Sequence, residues 1–256
     1  MSTMPALELN SVSKSYGRIQ ALNKVSISIS DSEFIGLLGQ NGAGKSTLFQ
    51  LLTGLFSADS GDIKVYGDDI RIAPIKVLSK IGVVFQQSTL DLALSVQDNL
   101  HFHCMLHGLG RKQAKQRIQE ELERFGLSDI ANKPARSLSG GNRRKIELLR
   151  ALLHRPSVLL MDEATVGLDP ESRLSLLNHV TSLCKERGLA VLWCTHIVEE
   201  VQAADRVIVL DKGNVLAESS PLSLVENSAI QTDSLASAFL QLVSNNNYMP
   251  GVVACE

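Results

Sequence analysis

Apolar and polar positions alternate twice near the start of the chain, over residues 6–12 and 24–29. Period two is the pattern of antiparallel strands with one face buried and one in water. Residues 63–66 continue that style between the turn signals Ser60-Gly61 and Gly67-Asp68. Residues 34–38 break the alternation with an unbroken apolar run, and so do 81–85, 158–161 and 190–194. Short runs of this kind suit strands covered on both faces, as in a parallel sheet flanked by other layers.

Between these runs the period lengthens to that of helices. Residues 47–55 read as a helix stopping at Gly54 or just beyond, and 96–109 and 111–125 as two more. The last of these carries Ile118, Leu122 and Phe125 on one stripe. Residues 137–141 open a helix running to about His154, and another covers 171–187. Residues 207–210 and 215–218 flank Asp211-Lys212-Gly213-Asn214, a hairpin turn signal. Beyond about Glu226 the chain is polar apart from an amphipathic stretch at 235–243.

Apolar strands alternating with helices predict an α/β core with a mainly parallel sheet. The early antiparallel strands and a helical segment at about 88–136 read as additions to that core. The expected organisation is one domain over 1–222, with the helical segment inserted, followed by a tail over 223–256.

Composition changes this picture little. Of 256 residues, 44% are apolar and 20% charged, as in ordinary globular proteins. A formal net charge of −2 offers no global attraction to nucleic acid or an anionic membrane. No run approaches the roughly 18–20 apolar residues that span a bilayer, and residues 1–10 lack the basic and apolar regions of a signal peptide. Cys104, Cys184, Cys194 and Cys255 show no paired spacing, so reduced thiols are expected.

The first chemistry lies at Gly39-Gln40-Asn41-Gly42-Ala43-Gly44-Lys45-Ser46-Thr47, between the apolar run 34–38 and a predicted helix. It fits G-x-x-x-x-G-K-[ST], the loop that wraps phosphate. Gly39, Gly42 and Gly44 let the backbone approach phosphate oxygens closely, and successive N–H groups, including those near Asn41 and Thr47, converge on them. The helix that follows aims the positive end of its dipole at the same anion. Lys45 would neutralise β/γ-phosphate charge and the Ser46 hydroxyl would help hold Mg²⁺. A plain glycine-rich turn accounts for the glycines but not for the lysine and serine in this context.

A second element is the apolar run 158–161 ending in Asp162-Glu163. Acids at the carboxyl end of a central parallel strand face the ligand crevice. Asp162 can position Mg²⁺, and Glu163 can orient and polarise an attacking water. Taken alone, a strand-ending acid pair is as often a solvated loop; the upstream phosphate loop favours the functional reading.

These motifs, with five more, make the chain resemble the nucleotide-binding subunits of ABC transporters, in particular the ABC-2 exporter branch. Leu138-Ser139-Gly140-Gly141-Asn142 is similar to the family signature, with Asn142 where glutamine is usual. Gln86 matches the Q-loop glutamine, Gly167-Leu168-Asp169 the D-loop, His196 the switch histidine, and Tyr16 the aromatic of the A-loop. The resemblance implies a P-loop NTPase core of the RecA-like kind and hydrolysis of ATP with Mg²⁺ as cofactor. By this resemblance Tyr16 would stack on adenine, Gln86 would reach Mg²⁺ or water, and His196 would donate to the γ-phosphate. Each has a blander reading: an edge-strand aromatic, a loop amide, a locally bonded histidine. Ala164 stands where the family usually has proline, leaving both carboxylates in place.

Ser139, Gly140 and Gly141 at a helix start form a second anion site of backbone N–H groups and dipole. The family resolves two phosphate surfaces on one chain by pairing two copies head to tail, with ATP between the loop of one and the signature of the other. The resemblance also implies a separate integral membrane permease, engaging residues 86–134 with apolar contacts among 90–100, and a place on the cytoplasmic face of the membrane. The stretch 233–242 resembles the ending of the ABC-2 branch. A soluble ATPase of this family acting on nucleic acid or ribosomes is the alternative; the near-neutral charge and single domain disfavour it.

One cluster lies outside this scheme. His101, His103, Cys104 and His107 crowd one predicted helix, with His103 and His107 on one face at i,i+4. Imidazole and thiolate suit a transition metal, but the family has an ordinary helix there, and no metal is expected.

Overall fold

A computed structural model describes residues 4–226 and 234–247. Among the described residues, two sheets and eight α-helices follow in chain order. They are β1 (Leu7–Tyr16), β2 (Ile19–Ile29), β3 (Phe34–Leu38), α1 (Lys45–Leu52), β4 (Ser60–Val65), β5 (Asp68–Asp69), α2 (Pro74–Leu78), β6 (Ile81–Val84), α3 (Val96–Leu106) and α4 (Arg111–Arg124). Then come α5 (Gly140–Leu152), β7 (Val158–Asp162), α6 (Pro170–Arg187), β8 (Ala190–Thr195), β9 (Arg206–Asp211), β10 (Asn214–Ser219), α7 (Pro221–Glu226) and α8 (Leu235–Asn247).

The central sheet runs β10-β9-β3-β8-β7-β6, parallel throughout except for β10, which pairs antiparallel with β9. Of the four unbroken apolar runs, three form the interior strands β3, β7 and β8 and the fourth forms β6 at the edge. The residues of β3, β7, β8 and the neighbouring interior strand β9 divide alternately between two cores. Phe34, Leu38, Leu159, Met161, Val191, Trp193, Val207 and Val209 pack on the side of α3 to α6. Ile35, Leu37, Val158, Leu160, Leu192, Cys194, Ile208 and Leu210 pack on the side of α1 and the second sheet. A strand covered on both faces has no polar face to show, which is why the alternation disappears in the sequence.

The second sheet, β2-β1-β4-β5, is antiparallel. Its first two strands reach well beyond the alternating stretches 6–12 and 24–29. The ladder is interrupted by register shifts between Leu9 and Ser15, with Ser11 and Lys24 at positive φ. A bulge flips the inward and outward faces, so the period-two signal fades where the strand continues.

Helix α1 begins at Lys45, two residues before the predicted start, because Gly44 at φ 110° is its N-cap. Helix α3 stops at Leu106, short of residue 109, and Gly108 follows at φ 72°. Ser139 caps α5, its hydroxyl accepting from Asn142 N, and Asp169 caps α6, accepting from Ser172 N. Cys104, Cys184 and Cys194 are buried free thiols; Cys255 lies outside the described residues. Among the described residues no helix is long and apolar enough to cross a membrane.

Candidate active site

The phosphate loop leaves the carboxyl end of β3, which lies between β8 and β9. Crevices at the carboxyl ends of parallel strands are where this class of sheet binds ligands. The glycines are there for steric reasons. Gly44 sits at φ 110°, and a Cβ on it would come within 2.6 Å of Ala21 O. A Cβ on Gly39 would come within 2.6 Å of Leu210 O. The turn between β9 and β10 packs on the loop from behind, with Gly213 N donating to Ala43 O at 2.8 Å. The N–H groups at the start of α1 have no carbonyl one turn back to bond, so they face the cleft.

The cleft at this point has a volume of about 430 Å³ and is lined by residues 40–47, Gln86 and Glu163, with Ile19, Gln20 and Ala21 of β2 and Lys212 opposite. Lys45 is 5% exposed, and its ammonium donates to Gly39 O at 2.7 Å and Gln40 O at 3.2 Å. It is therefore folded across the mouth of its own loop. Ser46 is exposed at the cleft.

Glu163 is the hub. Its carboxylate lies 3.4 Å from Lys45 Nζ and 3.2 Å from His196 Nδ1, and it accepts from Gln86 Nε2 at 3.1 Å. Four residues singled out separately along the chain thus meet at one carboxylate. Its backbone is left-handed, φ 44°, a conformation that costs a non-glycine residue about 1–3 kcal/mol. Glu163 N donates to Cys194 O at 2.9 Å, which fixes the turn off β7 against β8. Asp162 closes β7 directly beside it. Burial, and then the Glu163 carboxylate, push Asp162 up to about 6, while Lys45 pulls it down. A buried acid crowded by a second acid is a site that favours a cation. Together with the glycine cradle and the lysine, the donor set fits a Mg²⁺–nucleotide.

Two supports were missed in the sequence. Arg144, buried on α5, donates to Phe85 O at 2.6 Å and Gln86 O at 2.7 Å while pairing with Glu147 at 2.7 Å. Glu147 in turn accepts from Thr89 N at 2.9 Å. The helix bearing the signature is therefore bolted to the loop bearing Gln86. The i,i+3 spacing of Arg144 and Glu147 was visible, but their burial was not. Glu200, also buried, accepts from Trp193 Nε1 at 3.0 Å and from Thr165 Oγ1. It ties the turn after His196 to β8 and to the segment after Glu163.

Two groups stand apart from the cleft. Tyr16 is 41% exposed at the end of β1, edge-on to Phe56 at 6.2 Å, with its hydroxyl 3.4 Å from Gln50 of α1; it does not line the cleft itself. Ser139 and Gly140 are exposed, and with Gly141 they lie outside that lining. A Cβ on Gly141 would come within 2.5 Å of Ser172 Oγ, so α5 and α6 approach closely where the signature begins. A larger cleft of about 800 Å³, lined by Asp31, Ser157 and Leu189 among others, opens at the amino ends of β3, β7 and β8, away from these groups.

Comparison with known proteins agrees with this geometry. The family model described as ABC transporter matches residues 22–166. The linearmycin resistance ATP-binding protein LnrL of Bacillus subtilis is 40% identical over 82% of this chain, which spans 68% of that protein. The methionine import ATP-binding protein MetN of Rhizobium etli is 38% identical over 89% of this chain, which spans 64% of it. Among solved structures, the dimeric ATP-binding cassette MJ0796, in a post-hydrolysis state with ADP and phosphate, superposes with a TM-score of 0.75 at 27% identity, covering 84% of this chain and 98% of that one. With the phosphate loop, the paired carboxylates and the fold all in agreement, the chain belongs to the ABC transporter family as an ATP-binding, ATP-hydrolysing subunit.

Proposed function

We propose that two copies of this chain clamp two Mg²⁺–ATP between them and, by hydrolysing it, power export through a separate integral membrane permease. The observation that carries the site assignment is the meeting of Lys45, Gln86 and His196 on Glu163 beside the phosphate loop. In this reading Asp162, Ser46 and Gln86 hold Mg²⁺, which offsets phosphate charge when bound. Lys45 leaves the Gly39 and Gln40 carbonyls for the β/γ-phosphates. The N–H groups of residues 39–47 cradle those phosphates. Glu163 orients a water and accepts its proton as the water oxygen attacks the γ-phosphorus and the bond to the β–γ bridging oxygen breaks, the ADP leaving, while His196 donates to the γ-phosphate. Tyr16 supplies a face for the adenine.

The signature residues Ser139, Gly140 and Gly141 complete the site of the other copy. Their exposure, away from the chain's own cleft, supports that reading. The ATP-binding domain covers 1–222, with the helical part at about 88–136 inserted.

The permease would dock on the helical side. Of the apolar residues in 90–100, Leu90, Val96 and Leu100 are core, whereas Leu92 and Leu94 are exposed, as are Phe102, Met105 and Leu106 on α3. That exposed set is the proposed contact and would hold the chain at the cytoplasmic face of the membrane. Export is favoured by the likeness to a resistance protein; the likeness to a methionine importer keeps import as a second reading.

The test is Glu163→Gln. The variant should migrate as a dimer in ATP and as a monomer without it, with turnover lowered about a hundredfold or more, the scale of losing a general base. Full turnover without an ATP-dependent dimer would overturn the proposal.

A further inference from the structure

His103 on α3 and His107, the residue that caps its C-terminus, lie one turn apart, and the chain folds a third histidine, His154, against them from the turn after α5. His101 and Cys104, which crowd the same stretch of sequence, are not part of the group. Cys104 points into the core with 0% exposure, and the trio that can share one ion is His103, His107 and His154, with one donor atom of each within 4.8 Å of the others. We propose that these three histidines form a zinc site, with a fourth position open to water or an anion on the exposed His107 side.

The hydrogen bonding of the rings supports this. His154 Nε2 lies 3.0 Å from Ile81 O. A carbonyl can only accept, so Nε2 carries the proton and Nδ1 carries a bare lone pair. That Nδ1 is buried without a partner, and so is His103 Nε2. A histidine fixed by a backbone carbonyl on one nitrogen and free on the other has the outer-shell arrangement of metal ligands. Two unpartnered buried nitrogens are unfavourable features that one ion would satisfy together. Burial lowers His103 to about 3 and His154 to about 4, so at neutral pH the rings are in the uncharged form that binds metal.

The donor chemistry selects the ion. The group has no carboxylate, and Arg150 and Arg117 act electrostatically on it. Hard oxygen-seeking cations such as Mg²⁺ and Ca²⁺ are disfavoured, while three neutral imidazoles suit zinc with its fourth position open. The guanidinium charges favour a negative fourth ligand.

A competing reading is a simple ring stack. His107 and His154 lie 3.9 Å apart with planes 10° from parallel. An ion must lie in the plane of each ring, so zinc binding requires the exposed His107 ring to turn. It must also draw the nitrogens to about 3.4 Å, the separation set by tetrahedral Zn–N bonds of about 2.0–2.1 Å. An exposed side chain can do this without moving the core.

The experiment uses untagged protein without nucleotide, titrated with Zn²⁺ and separately with Mg²⁺. One Zn²⁺ per chain should bind and raise the unfolding temperature, with no such response to Mg²⁺. His107→Ala, at an exposed position, should weaken Zn²⁺ binding by about a hundredfold or more, exceeding the ten- to hundredfold loss typical of outer-shell changes, and abolish the thermal shift. His101→Ala and Asp162→Asn/Glu163→Gln should bind Zn²⁺ as the wild type does. Absence of stoichiometric Zn²⁺ overturns the proposal, and so does binding that survives His107→Ala or is lost with the two carboxylates.

Discussion

At Glu163 the backbone adopts a conformation that its side chain disfavours, and the proposed catalytic constellation depends on that. The left-handed turn directs one carboxylate to Lys45, Gln86 and His196 at once. Lys45→Ala removes the only one of these groups that reaches both Glu163 and the loop carbonyls. ATP binding should weaken and turnover should fall at least about a hundredfold, the scale of losing one charge-stabilising donor; radiolabelled nucleotide binding and phosphate release measure both. Asp162 makes a prediction about pH. Its carboxyl is raised from 3.8 to about 6 by burial and Glu163, so folding favours the protonated acid. Stability from this group is intact below about 4 and is lost as pH rises through about 6. The full loss is at most about 3 kcal/mol and nearer 1 after solvent screening. Asn at this position cannot ionise, so metal-free Asp162→Asn should be more stable than wild type at pH 7.5 and equal to it near pH 4. Urea unfolding in chelator at both pH values decides it, and an unchanged difference between them refutes the account. The acid pair itself was legible in the sequence, because a strand-ending doublet needs only local pattern. Its place in one site with Gln86 and His196 was implied by the family resemblance but not by any local pattern, since their meeting depends on a positive φ that no propensity assigns to glutamate.

Elements connect these residues. Helix α5 starts at the signature and grips the Gln86 loop through Arg144, whose guanidinium fork serves Phe85 O, Gln86 O and Glu147 together. Arg144→Ala leaves Glu147 buried without its cation. It should lower stability by about 3 kcal/mol, the scale for breaking a buried pair. It should also lower kcat more than ATP affinity, because the loop is displaced while the phosphate cradle is intact. Arg144→Lys should restore part of the stability and little of kcat, since an ammonium cannot serve three acceptors in a fork. Equal kcat in all three proteins would exclude the positioning role. The strands of the central sheet were readable because double burial leaves an unbroken apolar run. By contrast, β1 and β2 were read short because their bulges reverse the alternation, and α2 and α7, at five and six residues, are too short for a period to emerge. His154 joined His103 and His107 only in the fold, because its proximity depends on how α5 ends against α3.

At the scale of the whole molecule, the signature residues Ser139, Gly140 and Gly141 lie outside the lining of the cleft at the phosphate loop, and the proposed pairing of two copies is what would make both useful. That claim can be separated from any other account of the same residues by mixing two inactive proteins. Lys45→Ala keeps its signature but lacks a working loop. Ser139→Arg keeps its loop, but a bulky cation occupies the start of α5, where the exposed Ser139 hydroxyl caps the helix. In a homodimer of either variant both sites are defective. In a mixed dimer the intact loop of the Ser139→Arg chain meets the intact signature of the Lys45→Ala chain, leaving one site whole and the other doubly broken. Random pairing at equal concentrations makes about half the dimers mixed, each with one of two sites intact. Head-to-tail pairing therefore predicts recovery of about a quarter of wild-type turnover if the sites act independently, since a residue of one copy completes the site of its partner. If each site were complete within its own chain, the mixture would stay as inactive as its parts. Recovery should also rise with total protein concentration and saturate once the pairs are formed, whereas a monomeric site would show no such dependence.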